Sequence, residues 1–210
     1  MTNKESKQYK LMELNVKDLK RDPFEQFSTW YQDTSNADFP FPNAFILSTS
    51  DGKGVVSSRV LLLKEFDKNG FKFYTNENSR KGKELSNNNI ASICFWWDRL
   101  ERQVRIEGLV SELSKKESED YFSTRPRGSQ LGAWVSNQSS IILDRSILEN
   151  NYLKYEKLFK NKDIPKPDFW MGYILAPKSF EFWQGRENRL HDRFLYTVQD
   201  NVWVISRLAP

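Results

Sequence analysis

A chain of 210 residues is long enough for one domain with a substantial core. Aromatic residues form 14% of it, which argues against disorder, and the net charge of +4 suits small anionic ligands while leaving nucleic acid open. The polar N-terminus does not resemble a signal peptide, no apolar run approaches the roughly 18 residues of a membrane span, and Cys94 is the single cysteine. We therefore expect a soluble cytoplasmic protein with no membrane segment and no internal disulfide.

The first part of the sequence predicts a loose segment followed by a helix. Residues 1–20 are polar and are expected to be mobile, so we place a single domain over residues 21–210. Asp22 provides a helix cap and Pro23 a first-turn residue. Aromatic residues then recur at helical spacing from Phe24 to Tyr31, which predicts a helix packed on a core.

Strand patterns dominate from Asn43 onwards. β-branched and aromatic runs predict strands at residues 43–50, 55–66, 71–76, 90–97 and 102–113, with turns at DGKG (51–54) and DKNG (67–70). Helices are expected at residues 79–88, 115–122 and 145–159, and three short strands around Ile174, Phe180–Trp183 and His191–Val204. The fold class is therefore mainly β with helical insertions, arranged as a closed or partly closed β-barrel with helices at its ends.

A basic helix start follows the third of these strands. Ser79 is placed to cap the helix, which leaves Arg80 and Lys81 in its first turn. Cations there oppose the helix dipole, whereas a bound anion would meet both the cations and the free backbone N–H groups. A solvated basic turn is the alternative, but the unfavourable charge placement favours a phosphate site.

Two strands carry polar side chains on one face. Alternation along residues 56–64 puts Arg59 and Leu61 on one face and Lys64 on the other, and solvated strand ends explain these cations equally well. In the strand that begins at residue 102, Gln103 and Arg105 share a face. A Gln facing into a barrel would hydrogen-bond the edge of a heterocycle, although surface Gln is common in strands.

The stretch YFSTRPRGSQLGAW (121–134) concentrates hydroxyl and guanidinium groups. Pro126 ends any preceding helix, so the chain is expected to turn there. Arg125, together with the hydroxyls of Tyr121 and Ser129, predicts a second phosphate site. An ordinary surface turn is the alternative.

The stretch WQGRENRLHDRF (183–194) holds His191, the single histidine, among three arginines, and Trp183 as an aromatic wall. If the stretch enters a strand, Arg189, His191 and Arg193 share one face. Two neighbouring cations disfavour a charged imidazole, so we expect His191 to be neutral at pH 7 and able both to donate and to accept hydrogen bonds. Because unpaired buried charges are costly, a purely structural histidine is the weaker explanation.

Several common catalytic arrangements are missing from the sequence. It has no Walker loop and no GxGxxG motif, and one His with one Cys makes a zinc site a poor hypothesis, so no metal is expected. No Ser-His-Asp or Cys-His arrangement is evident. Redox chemistry would therefore depend on a bound cofactor.

Taken together, these motifs resemble the pyridoxine (pyridoxamine) 5′-phosphate oxidase family. The similarity runs from about Asp22 to Pro210 and rests on SSRVLLLK, FYTNENSRK, ERQVRIEG, YFSTRPRGSQLGAW, EFWQGRENRLHDRF and the terminal RLAP. It implies an FMN-binding split β-barrel that works as a homodimer with both subunits lining each site. It also implies oxidation of pyridoxine 5′-phosphate or pyridoxamine 5′-phosphate to pyridoxal 5′-phosphate, with hydride passing from C4′ to the flavin and O2 reoxidising the flavin to H2O2.

The resemblance also implies which residues bind the cofactor. Arg59 would lie near the FMN phosphate, Arg80 and Lys81 would hold that phosphate, and Gln103 would reach the flavin ring edge. Part of the site would come from the second subunit. The implied FMN-binding residues are Arg59, Val60, Leu61, Leu62, Leu63, Lys64, Tyr74, Thr75, Arg80, Lys81, Gln103, Gln138, Ser139, Trp183 and Arg193.

For the substrate, the resemblance implies a phosphate clamp and a reacting end. Arg189 and His191 would lie beside the pyridine ring as the catalytic residues, with Arg189 stabilising charge at the alcohol oxygen. Tyr9 would close over the substrate, and Arg186 receives no role. The implied clamp on the substrate phosphate consists of Lys64, Tyr121, Arg125 and Ser129.

Two departures from the family pattern bear on these roles. Ser6 stands where many members carry an Arg three residues before the Tyr, so the lid contacts are expected to differ. Gly128 stands where some members carry an acidic residue, which is expected to change loop flexibility rather than chemistry.

Two other classes of function compete with an oxidase. A flavin or pyridoxal-phosphate carrier without turnover fits the fold, but it would not need the substrate clamp. A basic nucleic-acid binder with exposed aromatic residues is disfavoured by the modest net charge and the scattered arginines.

Overall fold

A computed structural model describes residues 8–210 of the chain, and a nine-stranded antiparallel sheet forms its centre. The strands are β1 (Ala44–Ser50), β2 (Val56–Leu62), β3 (Glu65–Asp67), β4 (Gly70–Asn76), β5 (Ile90–Trp97), β6 (Arg102–Glu112), β7 (Trp170–Gln184), β8 (Asp192–Gln199) and β9 (Val202–Leu208). The α-helices of this part of the chain are α1 (Pro23–Asp33), α2 (Arg80–Asn87), α3 (Lys115–Thr124), α4 (Arg127–Val135) and α5 (Ser146–Leu158).

Strand β7 organises the sheet. β6 pairs with it from Tyr173 to Gln184, whereas β4 pairs with its first half and β8 with its second half. The path β2-β1-β5-β6-β7-β4-β3 therefore branches at β7, where the β8–β9 hairpin joins. This arrangement confirms the predicted mainly β fold with helical insertions.

Three strand predictions need correction. The expected strands around Ile174 and Phe180–Trp183 are one strand, which continues through Pro177 where its pairing with β6 is irregular. The expected strand His191–Val204 is a hairpin, because Asp200 and Asn201 adopt the left-handed φ values of 49° and 63° that suit a tight turn. The run at residues 55–66 is also interrupted after β2, since β3 pairs with β4 instead.

The helices begin largely where their caps predict. Asp22 accepts a hydrogen bond from the Phe24 backbone N–H at 2.8 Å, as expected for the start of α1. Helix α4 was not expected: the chain does turn at Pro126, but this residue then serves as the helix cap. Gly128 and Gly132 weaken the apolar pattern of α4, which explains the omission. No helix within residues 8–210 is long and apolar enough to span a membrane.

The main core lies between α1 and the sheet. Phe27 is fully buried, and its ring meets Phe66 and Phe71 edge-on at centroid distances of 4.9 Å. Phe95 and Trp97 lie against the same ring at 5.1 and 5.9 Å. A smaller cluster next to α3 and α4 consists of Phe122, Leu131, Ile164 and Trp170.

The segment before α1 is tied to the sheet. The backbone N–H groups of Lys10 and Leu11 donate to Glu101 Oε2 at 2.9 and 3.1 Å. Further along, Leu14 is buried and its N–H donates to Asp192 Oδ2 at 3.1 Å. The mobility expected of residues 1–20, and the domain limits drawn from it, stay predictions.

We expect Phe27→Ala to lower the free energy of unfolding by about 3–5 kcal/mol, because it removes a fully buried ring and leaves a cavity among the neighbouring aromatic rings. Phe27→Leu retains most of the volume and should lose about half as much or less. Urea unfolding of both variants checks this, and equal losses would contradict it.

Candidate active site

The start of α2 forms a cradle around one buried lysine. Ser79 caps the helix as expected, accepting from the Gly82 N–H at 3.4 Å. The Lys81 ammonium donates to Thr75 Oγ1 at 3.1 Å, to Ser79 Oγ at 3.2 Å and to Gln138 Oε1 at 3.3 Å. These partners are all uncharged, so the ammonium is hydrogen-bonded without being neutralised by them. We call this group the cradle: Thr75, Ser79, Arg80, Lys81, Gln138 and Ser139.

The electrostatics of the cradle favour an incoming anion. Burial, and after it the charge of Arg59, lowers the pKa of Lys81 to about 8, although Glu84 acts in the opposite direction. A bound anion would restore the ordinary preference of Lys81 for the charged form. Arg80 contributes its backbone N–H, which donates to Ser139 Oγ at 3.1 Å.

Glu84 is the carboxylate that balances these cations. It lies one turn after Arg80, whose Nε donates to its Oε1 at 2.8 Å. Its Oε2 accepts from Arg59 Nη2 at 3.2 Å, from Ser57 Oγ at 2.6 Å and from the Thr49 hydroxyl. Burial raises the pKa of Glu84, but these hydrogen bonds outweigh it and lower the pKa to about 2.

A cavity of about 320 Å³ adjoins the cradle. Arg125 lies at this cavity, and its Nη1 is the one buried side-chain polar atom without a hydrogen-bond partner in the described part of the chain. Burial lowers the pKa of Arg125, and its guanidinium lies 4.9 Å from the Trp170 ring centroid. A buried guanidinium nitrogen without a hydrogen-bond partner is a strong site for an anion. The cavity is lined by Leu61, Tyr74, Thr75, Asn76, Arg125, Ser129, Gly132, Ala133, Ser136, Gln138 and Trp170.

An aromatic stack supports this cavity. Tyr74 and Tyr121 stack with ring centroids 4.0 Å apart, and Trp170 lies 5.1 Å from Tyr74. Burial, followed by the neighbouring Tyr121, raises the pKa of Tyr74 to about 12. The structure therefore brings Tyr121, Arg125 and Ser129 to the same region as the cradle.

A second group of candidate residues surrounds His191. The His191 ring lies 4.5 Å from the Trp183 ring, and its Nδ1 accepts the backbone N–H of Arg186 at 3.1 Å. Burial, and then the charges of Arg189 and Arg193, lower the pKa of His191, as the sequence predicted. Because Nδ1 is already an acceptor, the neutral ring carries its proton on Nε2 and offers a donor there.

The expected strand geometry around His191 is wrong in one respect. Arg189 and His191 precede β8, so they do not share a strand face with Arg193. Arg189 is exposed and has a left-handed φ of 62°, next to Asn188 at 54°. Such a backbone is unfavourable for non-glycine residues and is often found at functional sites.

Arg193 and Gln103 belong to the same second group. Gln103 and Arg193 both stand opposite Trp183, on β6 and β8 respectively. Arg193 Nε donates to Glu181 Oε1 at 2.9 Å, and Arg105 Nη1 donates to Glu181 Oε2 at 3.1 Å. Glu181 therefore pairs with these two arginines, as Glu84 pairs with Arg59 and Arg80. We call Gln103, Trp183, Arg189, His191 and Arg193 the histidine group.

The cavity and the histidine group lie towards opposite ends of β7. Trp170 is the first residue of that strand, and Trp183, thirteen residues later, is next to its last. At about 3.3 Å per residue, the path along the strand between them is roughly 43 Å, which is long compared with a small ligand.

Arg186, which had no expected role, holds the second group to the N-terminal segment. Its guanidinium donates to Asp192 Oδ2 at 3.0 Å and to Glu13 Oε1 at 2.7 Å. Tyr9 lies nearby, with its ring 5.7 Å from His191 and 5.6 Å from Trp183. The departure expected at Ser6 lies outside the described residues.

The remaining predicted cofactor residues are dispersed along β2. Leu61 lines the cavity, whereas Val60 is 65% exposed on the opposite face. Leu63 is in the main core, Leu62 is half-buried, and Lys64 is exposed beyond the end of the strand. Side chains alternate between the two faces of a strand, so within residues 59–64 only Leu61 lines the cavity.

Several residues of the site were not identified from the sequence, among them Glu84, Glu181, Ser136 and Trp170. Glu84 was recognisable in principle as the i+4 partner of Arg80 on one helix. Glu181, Ser136 and Trp170 join the site only through strand pairing or the position of α4, which spacing along the chain does not reveal.

Comparison with known proteins identifies the family. Residues 32–158 match the family model described as pyridoxamine 5′-phosphate oxidase, and residues 170–210 match the pyridoxine 5′-phosphate oxidase C-terminal dimerisation region. The chain is 48% identical over 205 residues to a pyridoxine/pyridoxamine 5′-phosphate oxidase of Trichormus variabilis, covering 97% of this chain and 96% of the relative. A relative of the same name in Paraburkholderia xenovorans is 48% identical over 206 residues, with the same coverage.

Solved structures agree on the fold, which is that of the FMN-binding split barrels. PhzG of Burkholderia lata, solved with tetrahydrophenazine-1-carboxylic acid, has a TM-score of 0.87 and 29% identity, over 92% of this chain and 95% of that one. A pyridoxamine 5′-phosphate oxidase-related, FMN-binding protein of Nostoc punctiforme has a TM-score of 0.72 and 16% identity, over 91% of this chain and 100% of that one.

We expect Glu84 to stabilise the fold in a pH-dependent way. Its pKa of about 2 lies below the ordinary 4.5, so its contribution is complete above pH 4.5 and is lost as the pH falls towards 2. The shift corresponds to about 3 kcal/mol at neutral pH. Glu84→Gln should therefore be less stable than the unmodified protein at pH 7, with a gap that narrows at pH 3.

Urea unfolding at the two pH values measures that gap. Glu107→Gln removes an exposed carboxylate and serves as the matched control, for which little change is expected. A gap for Glu84→Gln that is equally large at pH 3 would contradict the assignment.

Proposed function

Because the chain belongs to the pyridoxamine 5′-phosphate oxidase family, we propose that it oxidises pyridoxine 5′-phosphate or pyridoxamine 5′-phosphate to pyridoxal 5′-phosphate with FMN as cofactor. The observation that carries the proposal is the pair of anion-binding features at one cavity. Lys81 lies at the cradle side and the unsatisfied Arg125 at the other. Two such features match a phosphorylated cofactor and a phosphorylated substrate that lie side by side.

The donor set of the cradle fits the phosphate of FMN. Lys81 and Arg80 supply charge, and Thr75, Ser79 and Ser139 supply hydroxyls. The Thr75 hydroxyl now bonds Lys81 Nζ and Gln138 Oε1, whereas those of Ser79 and Ser139 bond the backbone. A phosphate would replace the neutral partners of Lys81 with a charged one, which are the stronger hydrogen bonds. When bound, FMN would accept hydride from C4′ of the substrate and pass the electrons to O2, giving H2O2.

The chain's own residues would bind and orient the substrate. In this proposal Arg125, Ser129, Tyr121 and Lys64 hold its phosphate. Holding both phosphates fixes the distance between the reacting centres, which is the main way a protein accelerates such a transfer. The stacked Tyr74 keeps Tyr121 in place at 4.0 Å between ring centroids.

Arg189 and His191 would act at the other side of the substrate. Arg189 is a permanent cation that stabilises negative charge developing at the substrate oxygen. His191 would donate from Nε2, since its Nδ1 is held by the Arg186 N–H at 3.1 Å. His191 is therefore assigned as a hydrogen-bond donor that positions the substrate, and not as a base.

In this proposal, a complete active site takes its cavity from one copy of the chain and its histidine group from a second copy. The cavity and the histidine group are separated along β7, and the chain carries the family's C-terminal dimerisation region over residues 170–210. We therefore propose a homodimer in which the cavity of one copy faces the histidine group of the other. A cytoplasmic location, inferred from the sequence, completes the proposal.

An anaerobic titration tests the proposed reaction. The FMN-loaded protein is mixed with pyridoxine 5′-phosphate or pyridoxamine 5′-phosphate, and the visible flavin band is followed. Bleaching that reverses when air is admitted is the expected result. A flavin band that never bleaches would point to a carrier, and bleaching only by a tetrahydrophenazine carboxylate would point to the chemistry suggested by PhzG.

Mixing two inactive variants tests the shared site. Arg125→Ala and Arg189→Ala should each lower turnover strongly, and Arg189→Ala should leave FMN affinity nearly unchanged. Co-expression of the two should restore about a quarter of the original activity, because half of the dimers are mixed and each contains one intact site. No restoration would mean that both halves of a site come from one chain.

A further inference from the structure

Glu101 is a buried carboxylate that holds the segment carrying Tyr9. Glu101 is only 4% exposed and lies between a short 3-10 helix, Asp98–Leu100, and β6. One oxygen, Oε2, accepts the backbone N–H groups of both Lys10 and Leu11, at 2.9 and 3.1 Å. A buried carboxylate needs such partners, so the anchor and the segment stabilise each other.

The backbone of the same residue holds the turn that follows β7. The Glu101 carbonyl accepts the Gly185 N–H at 2.8 Å and Gln184 Nε2 at 3.2 Å. Glu101 has a left-handed φ of 53°, an uncommon conformation for a residue other than glycine. One residue therefore binds the Tyr9 segment with its side chain and the turn before His191 with its carbonyl.

The Tyr9 ring fills the space between these two attachments. It meets Trp183 edge-on at 5.6 Å and lies 5.7 Å from His191. At Gly185 a Cβ atom would lie 2.7 Å from Tyr9 Cγ, so the ring rests directly on that glycine. The position of the Tyr9 ring thus depends on Gly185, which the ring contacts, and on Glu101, which holds the next residue, Lys10.

We propose that Glu101 is a positioning residue of the active site, which acts by fixing Tyr9 over Trp183 and His191. This inference rests on the proposed oxidase function. The carboxylate of Glu101 acts on Tyr9 through the two backbone N–H groups of residues 10 and 11. The anchor holds the covering ring in its docked place, so that substrate binding need not order it.

Three variants separate this role from a general structural one. Glu101→Gly removes the carboxylate, and glycine adopts the left-handed φ without strain, so the turn is retained. Glu101→Gln keeps an oxygen that accepts both N–H groups, so this variant should behave much like the unmodified protein. Glu187→Gln is the matched control, because Glu187 is an exposed partner of Lys10 in the same segment, at 2.7 Å, and its loss should matter less than about twofold.

Hydrogen exchange of the FMN-loaded protein is the first measurement. The amides of Lys10 and Leu11 should exchange at least about tenfold faster in Glu101→Gly, because each loses a hydrogen bond to a charged acceptor. Exchange in Glu101→Gln should stay close to that of the unmodified protein. This readout needs no turnover, so it tests the anchor even if the proposed reaction were wrong. Unchanged exchange in Glu101→Gly would overturn the inference.

Steady-state kinetics in two backgrounds is the second measurement. Glu101→Gly should lower kcat/KM by about tenfold, mainly through KM, when Tyr9 is present. In a Tyr9→Ala background the same change should have less than about a twofold effect, because the ring it positions is gone. Equal effects in both backgrounds would show that Glu101 acts through the fold and not through Tyr9. Absence of turnover in the unmodified protein would refute the proposed function and leave the exchange result as the test of the anchor.

Discussion

The length of β7 is the constraint on which the rest of the site depends. Fifteen residues in one strand hold Trp170 beside the cavity and Trp183 beside His191. β4 pairs with its first residues and β6 with residues 173–184, so a hydrogen-bonded ladder runs along the whole strand and separates its two ends. A flexible link between the groups would let one chain fold back on itself, but a paired strand does not. The sheet geometry therefore supports the shared site proposed for a dimer, and the family's dimerisation region includes all of this strand.

Each half of the proposed site contains one carboxylate that keeps its cations in place. Glu84 accepts from Arg59 and Arg80, and Glu181 accepts from Arg105 and Arg193. Both carboxylates are buried, and a buried charge without a partner is costly, so the arginines and the carboxylates hold each other in place. The carboxylates do not pair with every cation, however. Lys81 has uncharged hydrogen-bond partners and Arg125 Nη1 has none among the described residues, and these two are the groups best suited to a phosphate.

The parts of the site that follow local rules were predictable from the sequence. Ser79, Arg80 and Lys81 sit at a helix start whose cap is readable, and Tyr121 and Arg125 are close because one helix ends between them. Burial is the largest cause of the lowered pKa of His191, but the two charged neighbours in sequence act in the same direction and made that direction predictable. Pairings between distant segments were not predictable: the continuity of β7 through Pro177, the hairpin at residues 200–201 and the contacts of Glu181 depend on strand register. Helix α4 was missed because two glycines interrupt its apolar pattern, although Pro126 marked its start.

The N-terminal segment before α1 is tied by hydrogen bonds to the surroundings of the histidine group. Its anchors, Glu101 and Asp192, both lie beside the histidine group, and Arg186 joins Asp192 to Glu13 while its N–H fixes the His191 ring. The segment, the turn after β7 and the imidazole are therefore one hydrogen-bonded unit. In the proposed dimer this unit faces the cavity of the second copy, so the covering Tyr9 and the donor His191 arrive together from one chain while the phosphate clamp comes from the other. A substrate held by its phosphate in one copy would then be oriented by the other, which makes the subunit contact itself part of the catalytic geometry.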